Sequence, residues 1–342
     1  LSNVVKIGMI GTGGMAGAHV ERLRRTAEGL FEIVALCDVS DAALERFTTR
    51  LNLQNVKQYR DYEDMIAKES LDGVIICSPH TSHFGQVMYS LDHGLHVLVE
   101  KPLACSADEC RQISAKAEAT GKVAQVGYQR HYIPQFLRMK ELISNGEIGN
   151  LHSISCTQGQ NWKRGTTGSW RQDPALSGGG QLHDSGSHLM DALLWLTGLT
   201  PVEVFASVDN RGTPVDINSV LLIRFAEGAQ AVVNVIGDSP YPQMFEDITI
   251  VGTNGSLRYR SENYSDATLT ISIGGGPVET FDAASVTYPA SNPDLNFVET
   301  IQGKASSVVP PVHGLRVMIL TESAWQSGKE NRVVTIPLVP LA

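Results

Sequence analysis

Val4-Val5-Lys6-Ile7-Gly8-Met9-Ile10 runs directly into Gly11-Thr12-Gly13-Gly14-Met15-Ala16-Gly17. The first seven residues have the apolar pattern of a strand. The next six spell G-x-G-x-x-A: Gly11 permits a tight turn, Gly13 lets the backbone approach a pyrophosphate, and Ala16 lets the following helix pack on the strand. That helix, expected over 14 to 28, presents free N–H groups to phosphates at its start. A second strand, Glu32-Ile33-Val34-Ala35-Leu36-Cys37-Asp38, ends in an acidic residue at the offset, about 20 residues past the motif, where a ribose hydroxyl is received. Together these features predict a dinucleotide-binding unit.

Outward from this stretch the βα alternation continues. A helix is expected from Asp41 to Leu51, a short one opening near Tyr59-Arg60-Asp61-Tyr62, and a strand over Gly73-Val74-Ile75-Ile76-Cys77. This strand ends in the polar loop Ser78-Pro79-His80-Thr81-Ser82-His83. A helix from His83 to His93 stops at Gly94, and the next strand delivers Val97-Leu98-Val99 into Glu100-Lys101-Pro102. Proline biases Lys101 toward extended backbone, and X-Pro is the one kind of bond with a realistic chance of being cis, so the ammonium can be held in one direction. Taken alone, Glu100-Lys101 also reads as a solvated pair at a strand end. Ser106 and Glu109 form a capping box for a helix ending at Gly121, followed by a strand from Lys122 to Val126. Repeated βα units with short connections require a parallel, doubly wound sheet, which sets a first domain at 1–127.

The pattern changes over 128–342. A helix from Ile133 to Asn145 and a strand from Leu151 to Gln158 precede a long polar stretch, Gly159 to Ser177, which contains Trp162, Trp170 and Arg171. Gly178-Gly179-Gly180-Gln181-Leu182-His183-Asp184-Ser185-Gly186-Ser187-His188 then begins a helix running to Leu196. Short alternating strands follow at 202–209, 216–225, 229–237, 246–251, 255–260 and 267–273, with helices near 292–302 and 313–328 and a last strand at 332–336. The expected second domain is α+β with an open, mainly antiparallel sheet. Asp184 and His188, four apart on a helix, share one face, so a carboxylate can fix the imidazole tautomer and raise its basicity. Three glycines upstream let a ligand come close to the backbone. A helix-surface pair is the competing reading. A metal site would draw on His183, Asp184, His188, His80 or His83, but His183 and His188 point about 140° apart on a helix and no H-E-x-x-H or Cys/His cluster exists, so no metal is expected.

Composition narrows the function classes. With 42% hydrophobic and 18% charged residues the chain reads as globular, and its net charge of -9, without a basic stripe, argues against a nucleic-acid partner. No apolar run reaches membrane-spanning length, and Leu1-Ser2-Asn3 leads straight into the first strand, so a cytoplasmic location is expected. Cys37, Cys77, Cys105, Cys110 and Cys156 form no C-x-x-C pair and are expected as reduced thiols.

The ordered set Gly11-Thr12-Gly13-Gly14-Met15-Ala16, Ser78-Pro79-His80-Thr81-Ser82-His83, Glu100-Lys101-Pro102, and Gly178-Gly179-Gly180 followed by Asp184 and His188 resembles the glucose-fructose oxidoreductase and inositol dehydrogenase (Gfo/Idh/MocA) family across nearly the whole chain. The resemblance implies a Rossmann domain plus an open-sheet domain, a nicotinamide cofactor, and oxidation or reduction of a sugar or cyclitol hydroxyl. It implies that Lys101 contacts substrate and cofactor and that Asp184 and His188 are the acid/base pair. It places cofactor contacts at Gly11 to Ala16, Asp38, Ser78, Pro79, His80, His83, Glu100, Lys101 and Gln129, and sugar contacts at Trp162, Arg164, Trp170, Arg171 and His183. Trp162 and Trp170 either cover a sugar's apolar face or anchor their loop in the core.

On this reading NAD, rather than NADP, sits across the Gly11 turn, because Asp38 repels a 2'-phosphate and neither Val39 nor Ser40 neutralises one. The substrate carbinol sits between the nicotinamide and the second domain; His188 takes the hydroxyl proton, oriented by Asp184, while Lys101 stabilises the alkoxide. Which of Lys101 and His188 accepts the proton stays open. A regulatory sensor of dinucleotide or sugar and an NAD-assisted glycosidase are the alternative functions; the intact trio of Lys101, Asp184 and His188 favours an enzyme over a sensor. A homo-dimer or homo-tetramer through the second sheet is expected, since strands such as Ala231 to Ile236 carry apolar residues on both faces and helices cover only one. The competing cover is the C-terminal segment with Val333, Val334, Ile336, Leu338 and Val339.

Overall fold

The computed structural model describes residues 4–338 apart from Pro242, 264–265, 285–287 and 289–290; Leu1-Ser2-Asn3 and Val339 lie outside the described residues. The chain divides into two units, Leu1–Gln129 with Ala290–Leu315, and Arg130–Pro289 with Arg316–Ala342.

In the first unit, β1 (Val5–Ile10), α1 (Gly14–Thr26), β2 (Phe31–Cys37), α2 (Asp41–Leu51), β3 (Lys57–Tyr59), α3 (Tyr62–Lys68), β4 (Gly73–Ile76), α4 (His83–Asp92), β5 (His96–Val99), α5 (Ala107–Thr120) and β6 (Ala124–Val126) alternate along the chain. The strands form one sheet in the order β3-β2-β1-β4-β5-β6, parallel throughout. This is the doubly wound dinucleotide-binding order, and it places the C-terminal ends of β1, β4 and β5 side by side. Local chemistry sets the helix ends. Ser40 caps α2 by accepting the Ala43 N–H, and Asn52 ends it in the left-handed region. The capping box at α5 forms: Ser106 accepts the Glu109 N–H, while the Glu109 carboxylate reaches the N–H of Cys105, one residue further back than the usual partner. β3, three residues long, escapes a periodicity reading.

In the second unit, α6 (Pro134–Ser144) leads to β7 (Leu151–Gly159), then to the one-turn segments α7 (Trp162–Gly165) and α8 (Pro174–Ser177), and to α9 (Gly186–Thr197). The polar stretch 159–177 is therefore not structureless: helical turns interrupt it. The series β8 (Pro201–Asp209), β9 (Asn218–Phe225), β10 (Gln230–Ile236), β11 (Phe245–Gly252), β12 (Gly255–Glu262), β13 (Thr268–Ile273) and β14 (Glu279–Thr280) follows. The sheet runs β14-β13-β12-β11-β7-β10-β9-β8 and ends on the last strand of the chain. It is mixed, because β7 lies parallel to β10 while the other pairings are antiparallel.

α10 (Pro293–Ile301) belongs to the first unit, a departure from the expected division at 127. Phe297 and Val298 are buried in the same cluster as Ile7, Met9, Val20 and Leu98, and the Val126 N–H donates to Val309 O. The apolar face of α10 needs a partner, and the sheet supplies it. α11 (Pro311–Glu330) carries the chain back into the second unit, and β15 (Val334–Thr335) pairs with the edge of β8. Val334 to Ile336 thus extend the sheet edge rather than lying across its face. On that face Val220, Leu222, Val232 and Val333 are exposed, while Leu221, Ile223, Ala231 and Val233 on the other side are buried. Farther along the same sheet Arg258 and Arg260 pair with Asp247.

All five cysteines are free thiols. Among the described residues no helix is long and apolar enough to cross a membrane.

Candidate functional site

The glycine turn leaves β1 with Gly11 at φ +86°, and a Cβ there would lie 2.7 Å from both Cys77 C and Ser78 N. Only glycine permits this close approach of β1's end to β4's end. Around Gly13 and Gly14 a Cβ would meet nothing within 4 Å, and no acidic residue occupies the first turn of α1. The turn is therefore open where a phosphate would lie, against an unopposed helix N-terminus. Ala16 is fully buried and lets α1 close on the sheet, while Met15 is half-buried. Asp38 Oδ2 accepts the N–H and the hydroxyl of Thr12 at 2.8 and 2.9 Å, and its Oδ1 accepts the Ser40 N–H at 2.9 Å. The carboxylate at the tip of β2 thus fixes the turn as well as facing the cavity. That cavity, about 380 Å³, is lined by Thr12, Gly13, Gly14, Asp38, Ala43, Arg46, Phe47 and Arg50. The two arginines come from α2, so positive charge does reach the pocket, though not from Val39 or Ser40.

At the end of β4, Ser78 Oγ donates to Gln86 Oε1 at 2.6 Å. His80 and His83 are buried, with ring centroids 5.8 Å apart. His83 Nδ1 lies 2.8 Å from Pro102 O and its Nε2 3.0 Å from Ser78 O, so the ring ties the loop after β4 to the loop after β5. Burial holds the His83 pKa below the ordinary histidine value, only partly offset by those carbonyls. His83 acts here as an internal brace. Pro79 is half-buried and Gln129 exposed. The Lys101-Pro102 bond is cis. Lys101 is half-buried, and its N–H donates to Glu100 Oε2 at 3.2 Å. Glu100 is buried and bound through Oε1 to His19 Nε2 at 3.1 Å. It too is engaged internally.

In the second unit, α9 starts at Gly186, two residues after Asp184. Asp184 and His188 therefore do not share a helix face as expected: residues 181–185 form turns. The reason is Asp216, just ahead of β9. Its Oδ1 accepts the Gly180 N–H and its Oδ2 the Leu182 N–H, at 3.0 and 2.7 Å, and Trp325 Nε1 donates to Oδ1 at 3.1 Å. A Cβ on Gly180 would lie 2.0 Å from Asp216 O, so the glycine serves the protein's own backbone. Burial raises the Asp216 pKa, partly countered by these donors. Asp184 is buried, and its Oδ2 accepts Trp162 Nε1 at 2.8 Å and Arg171 Nε at 3.1 Å. Arg171 in turn lies over the Trp170 ring, 4.5 Å from its centroid. Trp162 is buried with Val215 and Ile217 and anchors its segment. His183 is buried beside Trp325, Arg164 is exposed, and His188 is nearly closed off on α9, a helix buried almost throughout. Ser187 Oγ donates to Asp184 O at 2.7 Å, bracing the turn before His188.

Two contributors escape a motif search. His19 is signalled by its place among Ala16, Val20 and Leu23, the buried face of α1. Asp216 carries no local signal, since its partners lie 34 to 36 positions earlier and 109 positions later in the chain.

An open glycine turn at a helix N-terminus, with a carboxylate at the tip of the second strand of a 3-2-1-4-5-6 sheet, defines an NAD-binding Rossmann unit. Residues 5–128 match the family described as "Oxidoreductase family, NAD-binding Rossmann fold", and residues 136–258 match the GFO/IDH/MocA C-terminal domain. The chain belongs to the GFO/IDH/MocA family of oxidoreductases. It is 31% identical over 275 residues to the rhizopine catabolism protein MocA of Rhizobium meliloti, covering 75% of this chain and 78% of that protein. It is 28% identical to inositol 2-dehydrogenase of Salmonella typhimurium over 197 residues, 56% of this chain and 54% of that protein, so this match spans about half of each. The fold is shared with an oxidoreductase domain protein from Kribbella flavida (TM-score 0.87, 22% identity, 98% and 99% of the chains). It is shared equally with levoglucosan dehydrogenase in complex with NADH and levoglucosan (TM-score 0.85, 20% identity, 98% and 100%).

Proposed function

We propose that this oxidoreductase transfers a hydride between NAD and a secondary hydroxyl or carbonyl of a sugar, cyclitol or sugar derivative. The observation that carries the reading is that the open glycine turn, the Ser78 loop and Lys101 lie at the adjoining C-terminal ends of β1, β4 and β5, the edge where open α/β sheets bind ligands. The substrate class is supported by the similarity to the rhizopine catabolism protein and to inositol 2-dehydrogenase.

Gly11 to Ala16, with the N-terminus of α1, would hold the pyrophosphate, and Asp38 the ribose. When bound, the nicotinamide supplies hydride exchange. Lys101 donates a hydrogen bond to the substrate oxygen and stabilises the negative charge that develops on it. His188, neutral, accepts the hydroxyl proton in the oxidative direction, and Asp184 fixes the turn that leads into it, holding Trp162 and Arg171 with its carboxylate and Ser187 with its carbonyl. Arg171, Trp170 and the exposed Arg164 contribute substrate contacts. His188→Ala should lower turnover and remove the acidic limb of the pH–rate profile for oxidation, because a protonated imidazole cannot accept a proton. An unchanged acidic limb in the active variant would move the base role elsewhere.

NAD is preferred over NADP because the Asp38 carboxylate opposes a 2'-phosphate, with Arg46 and Arg50 reducing the margin. A homo-oligomer buries the apolar patch of Val220, Leu222, Val232 and Val333 on the open sheet face. Light scattering at micromolar concentration tests this: the mass of a single chain would refute it.

A further inference from the structure

His19 has no place in the function argued above, yet it is fully buried and surrounded by charge. From α10, Asp294 Oδ1 lies 2.5 Å from His19 Nδ1; from the end of β5, Glu100 Oε1 lies 3.1 Å from Nε2. From the end of β4 the half-buried Cys77 thiol also faces the ring, and from α1 itself Arg22 Nε donates to Asp294 Oδ2 at 2.5 Å with its Nη2 2.9 Å from Nδ1. Each imidazole nitrogen therefore faces a carboxylate, which only the doubly protonated ring satisfies with two donors. Burial and the neighbouring guanidinium oppose that charge. Burial is the largest single influence, but the Asp294 carboxylate and the Cys77 side chain together hold the His19 pKa well above the ordinary histidine value. Burial likewise opposes charge on Glu100, but His19, Lys101 and Arg22 hold its carboxyl below the usual range. A Cβ on Gly127 would come 3.1 Å from Glu100 Oε1, so the glycine leaves this carboxylate its room.

A buried ion cluster is a weak source of stability, since apolar side chains of similar volume often serve as well. Its geometry has another consequence: Glu100 Oε1 is held by His19 while Oε2 receives the Lys101 N–H. We propose that His19 is a positioning residue for Lys101, clamping the Glu100 carboxylate so that the backbone of Lys101 leaves the sheet in one fixed direction. Asp294 holds the other side of the ring, so a helix contributed by residues 290–315 is tied into the same device. The inference rests on the role given to Lys101 above.

The test compares His19→Gln, Glu100→Gln, the double variant and Lys101→Ala, measuring kcat, substrate KM and, separately, the Kd for NAD by titration calorimetry. His19→Gln should lower kcat about tenfold to a hundredfold, the penalty for a reacting group displaced by about 1 Å, with the Kd for NAD changed less than about twofold. The double variant should be no worse than the more impaired single variant, because the two residues act as one unit. In the wild-type protein, nitrogen NMR of labelled histidines should show His19 still doubly protonated at pH 7, and this measurement stands even if the variants fold poorly. Unchanged kcat in His19→Gln, a neutral His19 at pH 7, or parallel losses of kcat, NAD binding and thermal midpoint would each overturn the proposal. An active Lys101→Ala overturns the role of Lys101 itself; an inactive Lys101→Ala beside a fully active His19→Gln overturns only the part given to His19.

Discussion

The two glycine turns use the same device to different ends. In the first unit Asp38 takes the N–H and hydroxyl of Thr12 and the N–H of Ser40; in the second, Asp216 takes the N–H groups of Gly180 and Leu182 and the indole of Trp325. In each, one carboxylate satisfies backbone donors that a turn before a helix would leave unpaired. The difference lies in what remains open. Asp38 still borders a cavity, and Gly13 and Gly14 face empty space. Asp216 is sealed in, and Gly180 is packed against its backbone. One turn is a receptacle for a ligand, the other a fixed mount for the residues that follow it.

Adding a methyl group to each turn should separate the two most sharply. Gly180→Ala must displace backbone at 2.0 Å, so a loss of roughly 3–5 kcal/mol in unfolding free energy is expected from denaturant titration. Gly13→Ala meets nothing within 4 Å and should unfold like the wild type, yet bind NAD about tenfold or more weakly, because the methyl group takes the space meant for pyrophosphate. A mildly destabilised Gly180→Ala, or a Gly13→Ala with full NAD affinity, would erase the distinction.

A smaller effect is expected at the open carboxylate. Asp38→Ser removes the charge that opposes a 2'-phosphate while Arg46 and Arg50 remain in the cavity. The ratio of NAD to NADP affinity should fall by about tenfold to a hundredfold, or about 1.4–2.7 kcal/mol. An unaltered ratio would mean that Asp38 serves only the turn.

The smallest effect, and the most specific, is at the sealed carboxylate. Burial raises the Asp216 pKa in the folded protein, so the native state binds the proton more tightly than the unfolded chain. Its contribution to stability is therefore best at low pH and declines as pH rises from about 4 through the raised folded value. Asp216→Asn cannot ionise and loses this slope, at a cost of about 1 kcal/mol for a weakened acceptor. Unfolding midpoints across pH should show the gap between the two proteins narrowing as pH rises. A gap independent of pH would place the Asp216 carboxylate in solvent-like surroundings.

The same contrast explains what was legible in the sequence. Val4 to Ala16 and Asp38 are strand, turn, helix and strand in direct succession, so the chemistry of the first turn is written locally. That the sheet is parallel and doubly wound then follows from repeated βα units. The second turn is settled by Asp216, far along the chain, and a reading by periodicity carries α9 back through Gly178 to Asp184, where the fold keeps turns instead. Asp184, expected to face His188 from the same helix, instead receives Trp162 and Arg171 from a segment that reads as a loop. The return of α10 to the first sheet is equally nonlocal, since its apolar face announces burial without naming a partner. His83 and Glu100 sit in motifs that resemble ligand contacts, and the structure gives both internal partners.

The central claim is that Lys101, at the edge where the dinucleotide is received, stabilises charge on a substrate hydroxyl during hydride transfer. Its most direct test is a panel of sugars and cyclitols with NAD, following absorbance of the reduced cofactor, run in parallel on the wild type and Lys101→Ala, with NAD affinity measured separately on both. Reduction of NAD by at least one polyol is expected in the wild type, with a loss of about a hundredfold or more in Lys101→Ala at nearly unchanged NAD affinity. Near wild-type turnover in Lys101→Ala would contradict the claim.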